Sequence, residues 1–317
     1  MYHIGVDLGG TNIKVGIVDS EYRLVADVSC KTNLPRSAEA VCDDIVATAR
    51  EAVLKAGLSL DDIEDIGVAC PGAVDVGAGV VTYSCNLDWR DFPLQGYISA
   101  GFENKLPVYI ANDANAAAFG EYFAGSAKGS RGAVVITLGT GVGSGVILDG
   151  KIITGSYFGG AELGHMVVEF NGKPCTCGRR GCWETYASAT GLVGLTKDEM
   201  EKYPTSLMHQ LAAEQKKISA RTAFNAKAAG DEAGARVVEL YIAYLACGIT
   251  NIVNALQPEV ISIGGGVSHE GDKLLLPLRE IVQLEAYGSP AINTELRICT
   301  LGNEAGMIGA GLLGQQN

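Results

Sequence analysis

One short pattern occurs twice in this chain. Residues 7–18 read DLGGTNIKVGIV and residues 137–148 read TLGTGVGSGVIL. Each runs from the end of an apolar strand, through a glycine turn, into a second apolar strand. Such self-similarity predicts an internally duplicated strand–turn–strand unit. The leading architecture is therefore two similar domains related by a pseudo-two-fold, with a cleft between them. At 317 residues the chain is long enough for two domains.

The remaining periodicities fit an α/β chain. Residues 2–8, Ile13–Asp19 and Leu24–Ser29 predict an antiparallel meander. Ala38–Ala56 places Val41, Ile45, Val46, Ala49 and Val53 at helical spacing, and Gly57 supplies a stop. Strands are predicted at Ile63–Ala69, Val108–Ala111, Gly132–Leu138, Gly145–Leu148, Val260–Ile263 and Leu296–Cys299. The whole of GTGVGSG is expected to be turn. Helices are expected at Asp113–Phe123, through most of Ser188–Ala255, and at Ala305–Leu313 despite its glycines.

A cysteine–histidine cluster follows the second repeat: His165, Cys175, Cys177 and Cys182, in GAELGH…CTCGRRGCWE. Thiolate and imidazole suit a metal of borderline softness, and a structural zinc takes four such ligands in a tetrahedron. Gly178 and Gly181 let the loop fold back so that Cys177 and Cys182 face one ion. The plainer reading, reduced thiols in a loop, suits a glycine-rich run poorly, since little apolar context exists to bury them. Glu162 and Glu184 lie in the same stretch, where a metal-organised loop would hold them against a ligand. Six further cysteines are scattered singly in apolar contexts and read as reduced, buried thiols of a cytosolic protein.

Charge narrows the partners. The formal net charge is -12, which disfavours nucleic acid and anionic membrane. The opening MYHIGVDLGG has neither a basic n-region nor an apolar h-region, so a cytoplasmic protein without signal peptide is expected. No uninterrupted apolar run of about 18 residues predicts a membrane span.

Four segments carry candidate chemistry. In Asp7-Leu-Gly-Gly-Thr-Asn12, Gly9 and Gly10 let backbone N–H groups approach an anion. Thr11 adds a hydroxyl and Lys14 sits just beyond; read as a phosphate cradle, the segment would place Asp7 near a magnesium ion. In Thr137-Leu-Gly-Thr-Gly-Val-Gly143, Thr140 and Gly141 repeat that design. Each turn alone is equally a plain hairpin; the pair is the more specific signal for a triphosphate. In Ala111-Asn-Asp-Ala-Asn115, Asp113 is either an N-cap or a general base for a substrate hydroxyl, with Asn112 beside it. In Ile263-Gly-Gly-Gly-Val-Ser268, the glycines admit either a flat base or tight strand–helix packing.

Taken together, these segments resemble the ROK family of repressors, open reading frames and kinases, and within it the bacterial ATP-dependent glucokinases. The resemblance runs over essentially the whole chain, through DLGGTNIKVGIVD, CPGAVD, NLDWRDFPL, NDANAAAFGEY, TLGTGVGSG, GAELGHMVV, CTCGRRGCWETYAS and IGGGVS. The metal loop and NDANAAA are its most specific parts. One departure is Ala111, where the family often carries Glu.

The resemblance implies an α/β fold of two actin-like domains of the ribonuclease H type. They would comprise 1–118 completed by a C-terminal helix at 303–317, and 119–302 carrying the zinc loop. It implies ATP, Mg2+ and a structural Zn2+ as cofactors, and phosphorylation of glucose at its 6-hydroxyl. By resemblance Asp113 is the general base. Asn112, Glu162, His165 and Glu184 bind sugar hydroxyls, with Gly72 and Asn86 lining the pocket. Asp7, Gly9, Gly10, Thr11, Asn12, Lys14, Thr140 and Gly141 surround the phosphates, and Gly265 lies near the adenosine. His165, Cys175, Cys177 and Cys182 hold the zinc, His165 serving metal and sugar with its two ring nitrogens. A homodimer or homotetramer is the family expectation.

Two other readings use the same family. A kinase for another hexose or an N-acetylated amino sugar would keep the base and the phosphate turns. A sugar-responsive repressor needs a DNA-binding domain, for which a first strand starting at Tyr2 and a charge of -12 leave no place.

Overall fold

The computed structural model describes residues 1–288 and 293–316. The chain divides into two compact units. The first comprises Met1–Val134, Gly145–Ala161 and Thr300–Asn317; the second comprises Val135–Ser144 and Glu162–Cys299.

The first sheet has five strands in the spatial order 24–31, 12–19, 2–8, 63–70, 108–112. Tyr2–Leu8 pairs antiparallel with Asn12–Asp19, which pairs antiparallel with Leu24–Lys31. The meander is as the alternation predicts. Ile63–Cys70 runs parallel to Tyr2–Leu8, and Val108–Asn112 runs parallel to Ile63–Cys70. Parallel neighbours require crossovers, and the chain supplies them. Helix Ala38–Lys55 makes the first. Ser37 caps it by accepting from the Ala40 amide, Val41, Ile45, Ala49 and Val53 are buried, and Gly57 follows its end at φ 74°. The second crossover holds helix Leu94–Gly101 and a small sheet of Ala73–Asp75, Val80–Ser84 and Trp89–Phe92. No periodicity had announced that sheet, because its strands are only three to five residues long.

The C-terminal helix Ala305–Gly311 lies nearly in backbone contact with this sheet and with helix Asp113–Phe123. A methyl group at Gly67 would fall 1.7 Å from the Ala310 carbonyl oxygen, and one at Gly309 would fall 1.7 Å from the Ala116 carbonyl oxygen. Only glycine permits that approach. Part of the chain's 42 glycines are therefore there for packing and not for turns.

The second sheet repeats the order of the first: 151–152, 142–148, 132–138, 260–264, 295–298. Its second strand begins at Val142, three residues before the expected Gly145, so Val142, Gly143 and Ser144 belong to the ladder and not to the turn. None of these residues adopts a left-handed φ, and extended glycine pairs like any other residue. Both glycine turns thereby shrink to three residues, 9–11 and 139–141.

Helix Glu232–Leu256 is long and apolar enough to cross a bilayer by length and composition, a case that the search for an uninterrupted apolar run missed. Its buried side chains, among them Val237, Tyr241, Leu245 and Ile249, make it a core helix of the second unit. No cysteine is in a disulfide among the described residues. Cys42 and Cys70 are buried as expected, but Cys30, Cys247 and Cys299 are half-buried and Cys85 is exposed. Cys85 lies between two strands of the small sheet, which has too little depth to bury it.

Candidate functional site

In the first unit, Asp7 is the penultimate residue of its strand and lies directly opposite Lys14, whose Nζ is 3.7 Å from Asp7 Oδ2. Burial holds the Asp7 carboxyl above its ordinary value, and Lys14 offsets part of that rise. The turn 9–11 is pinned from the third strand. Thr32 Oγ1 donates to the Gly9 carbonyl at 2.7 Å and the Thr32 amide donates to the Thr11 carbonyl at 3.0 Å. Thr32 escaped the sequence reading because a lone threonine past a strand end carries no pattern. Asn12 Oδ1 accepts from Lys31 Nζ at 2.9 Å. A methyl group at Gly10 would lie 3.4 Å from the Asn86 carbonyl oxygen, so the glycine turn and the exposed Asn86 are neighbours.

Of the two roles read for Asp113, that of N-cap is taken by Asn112. Asn112 is the N-cap of helix Asp113–Phe123: its Oδ1 accepts from the amides of Ala114 (2.9 Å) and Asn115 (3.2 Å). Asn112 Nδ2 donates to the Gly72 carbonyl at 3.0 Å. Gly72 has φ 113°, and a methyl group there would fall 2.2 Å from the Tyr83 carbonyl oxygen, so no other residue fits. With the cap supplied by its neighbour, Asp113 occupies the first helical position, where its Oδ1 accepts from the Ala114 amide (2.9 Å). Its carboxyl is raised above the usual range, first by burial and further by the Asp7 charge, against the pull of the Ala114 amide. Gly306 packs against Asp7, where a methyl group would sit 3.0 Å from the carboxyl carbon. The unit thus gathers Asp7, Lys14, the turn 9–11, Asn86, Gly72, Asn112 and Asp113.

In the second unit, His165, Cys175, Cys177 and Cys182 converge. Their ligand atoms all lie within 4.8 Å of one another. Cys175 Sγ is 3.7 Å from His165 Nδ1, and Cys177 Sγ is 3.7 Å from Cys182 Sγ. Ligand atoms 2.0–2.3 Å from a tetrahedral zinc are about 3.5–3.8 Å apart, so one nitrogen and three sulfurs fit that ion. The loop folds as its glycines predict. Val167 bridges Cys182 and Pro174 bridges Arg180, while Gly178 (φ 88°) and Gly181 (φ 75°) take left-handed conformations. Burial pushes the Cys175 thiol up to about 12, and a metal takes cysteine as thiolate, so metal binding there would release a proton.

Glu184 opens the short helix Glu184–Ala187 just past this loop. Its Oε1 accepts from Cys175 Sγ at 3.1 Å and its Oε2 accepts from the Val142 amide at 3.4 Å. Thr140, at the tip of the turn 139–141, is exposed. Glu162 is also exposed and precedes the turn Leu163–His165, whose Leu163 amide donates to Ser144 Oγ at 3.1 Å. Gly265 has φ 83°, and a methyl group there would fall 2.5 Å from the Leu138 carbonyl oxygen. Tight packing therefore explains this glycine, while its outer side stays exposed.

Two five-stranded sheets in the same strand order, each with a glycine turn after the first strand of its meander, define an actin-like protein of duplicated design. Comparison with known proteins narrows the class. The chain belongs to the ROK family, which it matches over residues 3–317. It is 38% identical to a glucokinase of Halalkalibacterium halodurans, over 99% of this chain and 95% of that protein. It is 35% identical to a glucokinase of Thermotoga maritima, over 97% of this chain and 95% of that protein. Among solved structures, a ROK family glucokinase from Streptomyces griseus in complex with glucose and AMPPNP superposes with a TM-score of 0.77 at 33% identity, over the full length of both chains.

Proposed function

We propose that this protein is a hexokinase-type sugar kinase that transfers the γ-phosphoryl group of ATP to the 6-hydroxyl of glucose, giving glucose 6-phosphate and ADP. Family membership and the glucokinase relatives support the class. The observation that carries the chemistry is Asp113: a carboxylate freed from capping by Asn112 and raised above its ordinary value by burial.

Phosphoryl transfer asks a protein chiefly for in-line positioning and charge stabilisation. Asp113 accepts the proton of the 6-hydroxyl as that oxygen attacks the γ-phosphorus and the bond to the β-phosphate oxygen breaks. A carboxyl raised in this way is a better proton acceptor at neutral pH than an ordinary aspartate. Asn112, Glu162, His165 and Glu184 are the proposed sugar ligands, with Gly72 and Asn86 lining the pocket. For Asn112 only the amide valences left over from its cap and its bond to Gly72 are free for sugar. The turns 9–11 and 139–141, with Asn12 and Lys14, are the proposed phosphate sites, Asp7 the acidic group for the magnesium of Mg-ATP, and Gly265 the adenosine neighbour. Zinc held by His165, Cys175, Cys177 and Cys182 would have four protein ligands and no open position, so its contribution is to fix the loop.

Replacing Asp113 with Ala is expected to lower kcat by about 100-fold or more, the scale for losing a general base. Steady-state kinetics on a variant with an unchanged circular dichroism spectrum checks this. Retained turnover would remove Asp113 from the mechanism.

A further inference from the structure

A cavity of about 290 Å³ opens in the first unit, to which every residue lining it belongs. Strand Val108–Asn112, the first turn of helix Asp113–Phe123, residues 152–158 and the C-terminal segment all contribute to its wall. Of the residues assigned to the kinase site, only Asn112 reaches it.

Asn115 is the side chain that calls for a ligand there. It is 7% exposed. Its backbone amide is taken by the Asn112 cap, but its side-chain amide has no hydrogen-bond partner among the described residues. At the third position of a helix a polar side chain commonly turns back to the capping residue's amide. Here it lines the cavity instead, and neither its oxygen nor its nitrogen is sealed off by protein. A buried amide left unpaired is costly, so a partner from the cavity is favoured. The Thr154 hydroxyl lines the same cavity and is likewise unpaired among the described residues. Two further amides are each held at one end. Gln95 Nε2 donates to the Val108 carbonyl at 2.8 Å, and Gln316 Oε1 accepts from the Ile152 amide at 3.3 Å.

The lining also sets the class of ligand. No charged side chain contributes to it. A phosphate or carboxylate would be buried there without a counter-charge, which disfavours nucleotides and sugar phosphates. Amides and hydroxyls offer donors and acceptors together, the complement of a ligand whose hydroxyls are both. Phe158 and Leu313 add apolar surface for the face of a ring. The volume, at the lower end of the range for small-molecule sites, suits a single ring. We propose that this cavity is a second binding site for a neutral monosaccharide, anchored on Asn115 and separate from the acceptor site. The lining alone supports it, so it goes beyond the kinase reading without depending on it.

The test is equilibrium dialysis with radiolabelled glucose, carried to saturation without nucleotide, on wild type, Asn115→Leu and Thr154→Val. Leucine keeps the branched shape of asparagine and removes both polar atoms. Wild type is expected to bind two glucose molecules per chain. Asn115→Leu is expected to weaken one of them by about 10-fold, the scale for two hydrogen bonds of ordinary strength, and to keep turnover on glucose. Thr154→Val, on another segment, is expected to weaken the same glucose by less, and it decides the matter if Asn115→Leu does not fold. Where the wild type phosphorylates glucose, a single glucose per chain overturns the proposal, because the acceptor site accounts for it. Two that keep their affinity in both variants overturn it as well. Where the wild type phosphorylates no sugar, a single glucose weakened in both variants upholds the cavity site and overturns the kinase reading; one unaffected by either substitution overturns both.

Discussion

Asp113 shows how one side chain is made available for chemistry by another. Asn and Asp both cap helices well, so Asn112-Asp113 leaves two assignments open on paper. The structure gives the cap to Asn112, and the Asp113 carboxyl accepts from the Ala114 amide. Its raised pKa has a defined consequence. An ordinary aspartate is ionised above about pH 4, whereas a raised one remains protonated, and inactive as a base, to higher pH. On acidification the limb of the kcat/KM profile assigned to Asp113 is therefore expected to begin above that ordinary value; a limb at or below it would contradict the assignment. The proposed base was picked out in the sequence because NDANAAA is distinctive. Its freedom from capping was not, since it depends on which of two adjacent rotamers reaches the helix amides. Gly141 carries the converse lesson. It reads as a phosphate glycine, yet the carboxylate that fills its side-chain space belongs to Glu184, far along the chain.

Among the elements, the meander strands, the long helices and both glycine turns followed from period and punctuation. The small sheet at 73–92 did not, because strands of three to five residues carry too few alternations. The C-terminal helix is the instructive case. Its glycines argue against a helix on propensity alone, but they allow it to lie against strands 2–8 and 63–70 and against the helix that begins with Asp113. Gly309→Ala drives a methyl group toward the Ala116 carbonyl. It is expected to destabilise the protein by about 1–3 kcal/mol, the usual cost of overpacking, read as a lower urea midpoint with an unchanged slope. A neutral result would mean that the two helices separate freely. The metal loop makes its own prediction. Cys177→Ala removes one of four ligands and is expected to lose zinc and to weaken glucose binding together, measured by metal analysis and titration on the same sample. Zinc loss with unaltered glucose affinity would refute a role for the metal in shaping the sugar loop.

At the scale of the whole molecule, duplication explains the most with the least. Two sheets share one strand order, and the two three-residue glycine turns fall at equivalent places within it. What differs between the halves is what each attaches to that frame. The first unit bears the buried carboxylates Asp7 and Asp113, and the second bears the metal loop and Glu184. The duplication was visible from DLGGTNIKVGIV and TLGTGVGSGVIL, but the hydrogen bonds that join Val142 to Glu184 and Gly139 to Ala189 are distant contacts that no local pattern encodes.

The most direct test of the central claim is release of ADP from Mg-ATP across a panel of sugars, with zinc-loaded wild type and Asp113→Ala side by side. The account predicts strong turnover on glucose and its loss in the variant. Turnover confined to an amino sugar would contradict glucose as the acceptor while leaving the base in place. Silence on every sugar, or undiminished turnover in the variant, would contradict the claim that this chain is a sugar kinase acting through Asp113.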